Sequence, residues 1–317
     1  MYNLCCISNE LKEDGHSFKT MTWKRFTQLC EELGEESALS ELGYRWLNNV
    51  TVMRRIIKHC AYNGWGYRVS SDLFPCLTHP DFKYGVADVP QYKSIMSVLW
   101  AIAADNLDDI TGSQFVRLSC HPDQFNVLAS DNEQSVQKTI KELNHHGWIM
   151  DQLGCERSYE NPINIHINCT KGNPADIAAR FMSNLNQCDQ SVTSRLVVEN
   201  EDKGIWTVSN LIKYIYEPYK LPITFDNLHH KCNPCGLPED SAIELCVLTW
   251  GDTKPLFHYS ESEPDHKNPR AHADMPVDIP PSELYDWDIE LKGKDKAIRH
   301  LALIELTREA EKLGFYK

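Results

Sequence analysis

Imidazoles and carboxylates recur at one kind of position in this chain, at or just beyond the ends of short apolar runs. His121 follows FVRLSC (115–120), His166 lies in INIHIN (163–168), and Glu199 closes RLVVEN (195–200). Asp226 ends ITFD (223–226) with His229 and His230 just beyond. His258 lies in LFHYS (256–260), His272 in the segment after it, and Glu290 in WDIEL (287–291). Any one histidine in an apolar run is ordinarily a hydrogen-bonded core residue. Several carboxylates converging in a low-dielectric cleft are costly unless cations compensate, and imidazole with carboxylate is the ligand mixture for Zn²⁺, Mn²⁺ or Fe²⁺. Two such ions about 3.5–4 Å apart can clamp both oxygens of a phosphodiester during in-line displacement and activate water near neutral pH. The expected chemistry is phosphodiester hydrolysis at a multi-metal site.

Those residues need elements that bring them together. With NLCCIS (3–8) and YRVSS (67–71), the runs above make eight candidate strands. Apolar residues three or four apart predict helices over 94–107, 135–153, 175–187, 206–216 and 297–313. Eight strands alternating with helices fit a (β/α)8 TIM barrel, whose sites are built at the C-terminal ends of its strands; a doubly wound sheet is the other possibility. One barrel domain over 1–317 is expected, without repeats or linkers. The polar, proline-containing segment 263–276 is expected to cover one mouth.

Composition narrows the class further. Hydrophobic residues make up 42% of the 317, enough for a sizeable core. No window approaches the roughly 18–20 apolar residues of a membrane span, and MYNLCCISNE lacks signal-peptide character, so an intracellular protein without membrane association is expected. The twelve cysteines are irregularly spaced and several lie in apolar runs, which reads as reduced thiols; CNPC (232–235) reads as a turn rather than a zinc or redox motif. No GxGxxG or GxxxxGK[ST] loop follows a strand. A net charge of −13 argues against a generic nucleic-acid binder, so basic groups must be judged locally.

SSDLFPCLTHP, SCHPDQF, NIHINCTKG, VVENEDKGIWTV, TFDNLHHKCNP, HYSE with RAHAD, and ELKGK occur in the order seen in the UV damage endonuclease family, and CCISNEL and KTMTW extend the likeness to the N-terminus. The chain resembles that family over nearly its whole length. The resemblance implies a barrel with two or three divalent ions, most often Mn²⁺, that nicks double-stranded DNA immediately 5′ to UV photoproducts and leaves a 3′-hydroxyl and a 5′-phosphate. It implies His121, His166, Glu199, Asp226, His229, His258, His272 and Glu290 as ligands, with His166, Glu199, Asp226 and Glu290 catalytic. Gln124-Phe125 matches a probe that enters the duplex where the damaged dinucleotide is flipped out, and an aromatic face there can replace lost stacking. Asn9 matches a DNA-contacting asparagine.

Two positions depart from the family pattern. Asp72 stands where some members place a histidine ligand, and Leu256, two residues before His258, stands where members carry a carboxylated lysine. Leucine cannot ligate. Lys171, Lys231, Lys267, Arg270, Lys292, Lys294 and Lys296 follow the same strands and are candidate phosphate contacts. A monomer is expected. The rival readings are an abasic-site endonuclease, a metal-dependent sugar isomerase and a DNA-binding protein that has lost cleavage.

Overall fold

A computed structural model describes residues 1–107, 114–123, 126–234, 236–281 and 284–313. Eight strands, all paired in parallel, form its centre: β1 (Tyr2–Cys5), β2 (Gly66–Val69), β3 (Leu118–Cys120), β4 (Ile163–Ile165), β5 (Leu196–Glu199), β6 (Ile223–Thr224), β7 (Leu256–Tyr259) and β8 (Asp286–Ile289). The hydrogen-bonded order β6-β5-β4-β3-β2-β1-β8-β7 leaves β6 and β7 to close the ring. They do so through a parallel bridge between Asp226 and His258, where the His258 N–H donates to the Phe225 carbonyl at 2.8 Å. The architecture is a (β/α)8 barrel, and the doubly wound alternative is set aside.

The strands are shorter than their apolar runs because the chain turns outward at the mouth. Cys6 adopts a positive φ of 66° directly after β1, and Pro122 follows two residues after β3. The expected helices are present as Tyr92–Asp105, Glu133–Gln152, Pro174–Leu185 and Asp295–Lys312, while the fourth begins at Val208, passes through a π-helical turn at Ile212–Tyr216 and ends at Tyr219. Asn132 and Asn173 cap two of them through side-chain oxygens, as short polar residues ahead of an apolar period do.

Several described helices were not among the sequence expectations, among them Glu239–Thr249 and a pair just ahead of β2. The longer, Glu35–Asn63, buries Leu39, Leu42, Trp46, Val50, Met53, Ile57 and Cys60, three or four residues apart, against the barrel wall. Each aliphatic residue so buried is worth about 1.5–3 kcal/mol. Glu35 and Glu36 favour its N-terminus, and Gly64 ends it at a left-handed φ of 68°. Trp23–Leu33 precedes it, capped by Thr22.

Alternation along the strands sends one set of side chains inward, and here that set is polar. At the N-terminal end Asp286 takes Arg117 at 2.9 Å, Lys254 at 2.6 Å and the chain's amino terminus at 3.1 Å. This plug closes the floor. Above it lie Asn3, Arg68, Ser119, Asn164 and Asp288, all buried, and above them the mouth. No disulfide joins the described cysteines. No described helix is long and apolar enough to cross a membrane.

Candidate metal centre

Six strands, β3 to β8, and the turns after them deliver the expected ligands to one spot. Glu199, at the end of β5 and 1% exposed, is its hub. Its Oε2 lies 3.2 Å from His121 Nε2, 3.1 Å from His258 Nδ1 and 3.9 Å from His166 Nε2, and its Oε1 lies 3.0 Å from His229 Nδ1. Asn164, two residues before His166, donates its amide to the same carboxylate. Glu290, from just past β8, approaches His258 Nδ1 at 3.3 Å and is ion-paired with Arg68.

The ligand atoms fall into three overlapping groups within 4.8 Å of one another: His121, Glu199 and His258; His166, Glu199 and His229; Asp226, His258 and Glu290. Three rings are oriented by the backbone. His121 Nδ1 meets the Pro122 carbonyl at 2.9 Å, His229 Nδ1 the Asn200 carbonyl at 2.9 Å, and His272 Nδ1 the Glu290 carbonyl at 2.8 Å. With Nδ1–H donated to a carbonyl, Nε2 is the nitrogen left to meet an ion, the usual support of a metal-binding histidine. Asp226 caps the helix Asn227–Cys232 by accepting the His229 N–H at 2.6 Å.

Several buried atoms here have no protein partner: His166 Nδ1, His258 Nδ1 and Asp226 Oδ2. An orphaned buried polar group costs about 1–3 kcal/mol. Nitrogen and oxygen donors left open beside carboxylates fit a divalent cation, and the residues present therefore suit one. The protonation pattern agrees with a site short of positive charge. Burial would push Glu199 up, but His258, His166 and hydrogen bonds from His121 and His229 hold it well below the usual carboxylate range. Burial would lower His258, yet Glu199 and Glu290 raise it to about 9. Burial carries His166 down to about 4 and Asp226 up to about 6. Glu201, two residues past the hub, is raised to about 7 by burial while accepting the Asn168 N–H at 2.8 Å.

Other expected residues lie around this centre. His272 sits on a loop pinned by a bridge to Ser262, beside Glu290 but outside the three groups. That loop, 261–273, folds back on itself beside the segment that follows β8, with Glu263 N–H to the Ala271 carbonyl at 2.6 Å and Lys292 N–H to the Ala273 carbonyl at 3.1 Å. Asp72, in a turn after β2, joins none of the groups. His230 points away from the centre, with Nε2 at the Leu237 carbonyl. Asn9 donates to the Lys292 carbonyl at 3.2 Å, which ties the first loop to the last. Arg270 pairs with Asp202 at 2.7 Å, Lys292 with Glu263 at 2.7 Å and Lys296 with Glu13 at 3.0 Å; Lys171, Lys231 and Lys267 are exposed, and Lys294 is half-buried. Gln124, Phe125 and Cys235 lie outside the described residues.

Sequence reasoning missed Asn164, Arg68 and Asp288. Their signal was available: each is a polar residue inside an apolar strand, and Asn164 and Asp288 stand two positions before a candidate ligand and so share its inward face.

A UV DNA damage endonuclease of Bacillus cereus (strain B4264) is 27% identical over 303 residues, covering 92% of this chain and 88% of that protein. Its counterpart from Bacillus mycoides (strain KBAB4) is 28% identical over 298 residues, covering 90% and 88%. Among solved structures, SacUVDE superposes with a TM-score of 0.77 at 24% identity, covering 99% of this chain and 98% of that one. Endonuclease IV from Thermus thermophilus shares the fold at a TM-score of 0.50 and 14% identity, covering 79% and 93%. The family model described as UV-endonuclease UvdE matches residues 2–314, and the chain belongs to that family.

Proposed function

We propose that this chain is a divalent-metal-dependent endonuclease that nicks duplex DNA immediately 5′ to UV photoproducts, leaving a 3′-hydroxyl and a 5′-phosphate. The observation that carries the metal requirement is the convergence of His121, His166, His229 and His258 on the buried carboxylate of Glu199, with orphaned donor atoms around it. Family membership carries the lesion.

In this reading His121, His166, Glu199, Asp226, His229, His258 and Glu290 hold two or three ions, most fittingly Mn²⁺, with His272 adding a ligand from the loop after β7. Bound divalent ions supply the positive charge that polarises the phosphodiester and stabilises the departing 3′-oxygen. The protein's part is preorganisation: backbone carbonyls fix three imidazoles and Asn164 fixes the Glu199 carboxylate. Gln124 and Phe125 fill the gap left by the extruded lesion. Asn9 and the exposed Lys171, Lys231 and Lys267 hold flanking backbone.

The test is nicking of supercoiled plasmid, irradiated, abasic or untreated, after chelation and add-back of Mn²⁺, Mg²⁺ or Zn²⁺. Metal-restored nicking of irradiated plasmid alone is expected, with sites mapped 5′ to dimers. Preference for abasic plasmid would replace the lesion assignment, and binding without nicking under any ion would replace the catalytic one.

A further inference from the structure

His258 differs from the other oriented histidines at the centre. His121, His229 and His272 each give Nδ1–H to a backbone carbonyl. His258 Nδ1 instead points at Glu199 (3.1 Å) and Glu290 (3.3 Å) and has no hydrogen-bond partner. No carbonyl orients this ring. Its other nitrogen, Nε2, faces Asp288 Oδ2 at 3.6 Å.

That approach is built into the sheet. His258 on β7 and Asp288 on β8 are register partners, so their inward side chains are neighbours. Asp288 is itself held from the other side. Asn3, its register partner on β1, donates Nδ2–H to Oδ1 at 2.9 Å, and Ser119 Oγ lies 3.4 Å from Oδ2. Gly66 makes room for this arrangement, because a Cβ there would meet Asn3 Oδ1 at 2.1 Å. Arg68 Nη1 stands 3.7 Å from Asp288 and also pairs with Glu290, which links the orienting layer to the mouth. On β7 the layer below His258 offers only Leu256, a side chain with no polar atom.

We propose that Asp288 is a positioning residue of the metal centre: its carboxylate, 3.6 Å from His258 Nε2, draws in to take the Nε2–H when an ion binds and thereby commits Nδ1 to that ion beside Glu199 and Glu290. A carboxylate in this role fixes both ring orientation and tautomer, and its loss typically weakens metal binding 10–100-fold. The inference rests on the metal centre of the preceding section, and its readout is ion binding rather than DNA cleavage.

Two measurements test it on the full-length chain. In Zn²⁺-loaded wild-type protein, side-chain ¹⁵N spectra of selectively labelled histidine should show His258 protonated at Nε2; a ring protonated at Nδ1 overturns the proposal without any variant. In Mn²⁺ titrations, Asp288→Leu should lose roughly 10–100-fold in affinity, whereas Asp288→Asn, which keeps an acceptor oxygen, should recover part of it. Wild-type affinity in Asp288→Leu overturns the proposal. A wild-type protein that binds no divalent ion would instead remove the metal centre itself.

Discussion

Glu199 Oε2 and His258 Nδ1 stand 3.1 Å apart inside the barrel mouth, one at the end of β5 and the other on β7, and both are 1% exposed. Neither can turn to water. Replacing Glu199 with glutamine removes the charge shared by two of the three ligand groups while keeping the side chain's shape. We expect Glu199→Gln to lower bound Mn²⁺ and to cut nicking of irradiated plasmid by about 10³-fold, since metal ions contribute several kcal/mol of transition-state stabilisation. Normal nicking by this variant would sink the ligand assignment.

Ion binding should depend on pH with a defined sign. His258 is held charged up to about 9 by Glu199 and Glu290, and Asp226 keeps its proton up to about 6 because it is buried. An ion needs both groups deprotonated, so binding releases protons. Apparent Mn²⁺ affinity is therefore expected to rise steadily from pH 6 to about 9 and then level. Isothermal titrations in buffers of different ionisation enthalpy would count the protons, and a flat profile would contradict the scheme.

The floor should matter to stability and not to chemistry. Asp286 sits under the barrel with Arg117, Lys254 and the amino terminus, and the hydrogen bonds from Lys254 and Arg117 outweigh burial to keep its carboxyl below the usual range. A carboxyl with a depressed folded pKa stabilises above the unfolded value of about 4, and the contribution is lost as pH falls through the folded value. Asp286→Ala leaves buried Arg117 with backbone carbonyls and only the exposed Glu160 carboxylate at 3.8 Å, and should cost about 3 kcal/mol in denaturant unfolding at pH 7. Nicking per folded molecule should stay at the wild-type level.

Basic residues at the rim should divide into two kinds. Lys171 is exposed and has no ion pair among the described residues, whereas Lys292 is held by Glu263. Lys171→Ala should flatten the slope of log affinity against log salt by about 0.9 on duplex DNA. Lys292→Ala should change it less, because its charge is already offset in the free protein. Equal slopes for both variants and wild type would place DNA elsewhere.

How much of this was readable beforehand follows from strand geometry. His121, Glu199 and Asp226 were legible because an apolar run that stops on an ionisable residue is conspicuous, and helices such as Glu133–Gln152 because a capping asparagine precedes a clear period. Helix Glu35–Asn63 was not legible: its exposed face is dense in charged residues and its buried face includes Gly43, Asn49 and Val52, which blur the period. Arg68 and Asp288 were hidden for another reason. Barrel strands are covered on both sides, so apolar content does not reveal which face is inside. The repeat Asp286, Asp288, Glu290 carried that information, because residues two apart share a face.

The ring of strands is not equally strong all round. Between β3 and β4 a single register pair, Cys120 with Ile163, joins neighbours, and between β6 and β7 a single bridge does, whereas β7 and β8 share four pairs. These two thin joints cut the barrel into arcs, β4–β6 and β7 through β3. His121 and His166 face each other across one joint, and Asp226 and His258 across the other. The centre thus sits like a rivet through two jaws: what loads it also clamps the arcs together, and chelation should loosen amide exchange at those two joints before any other part of the barrel.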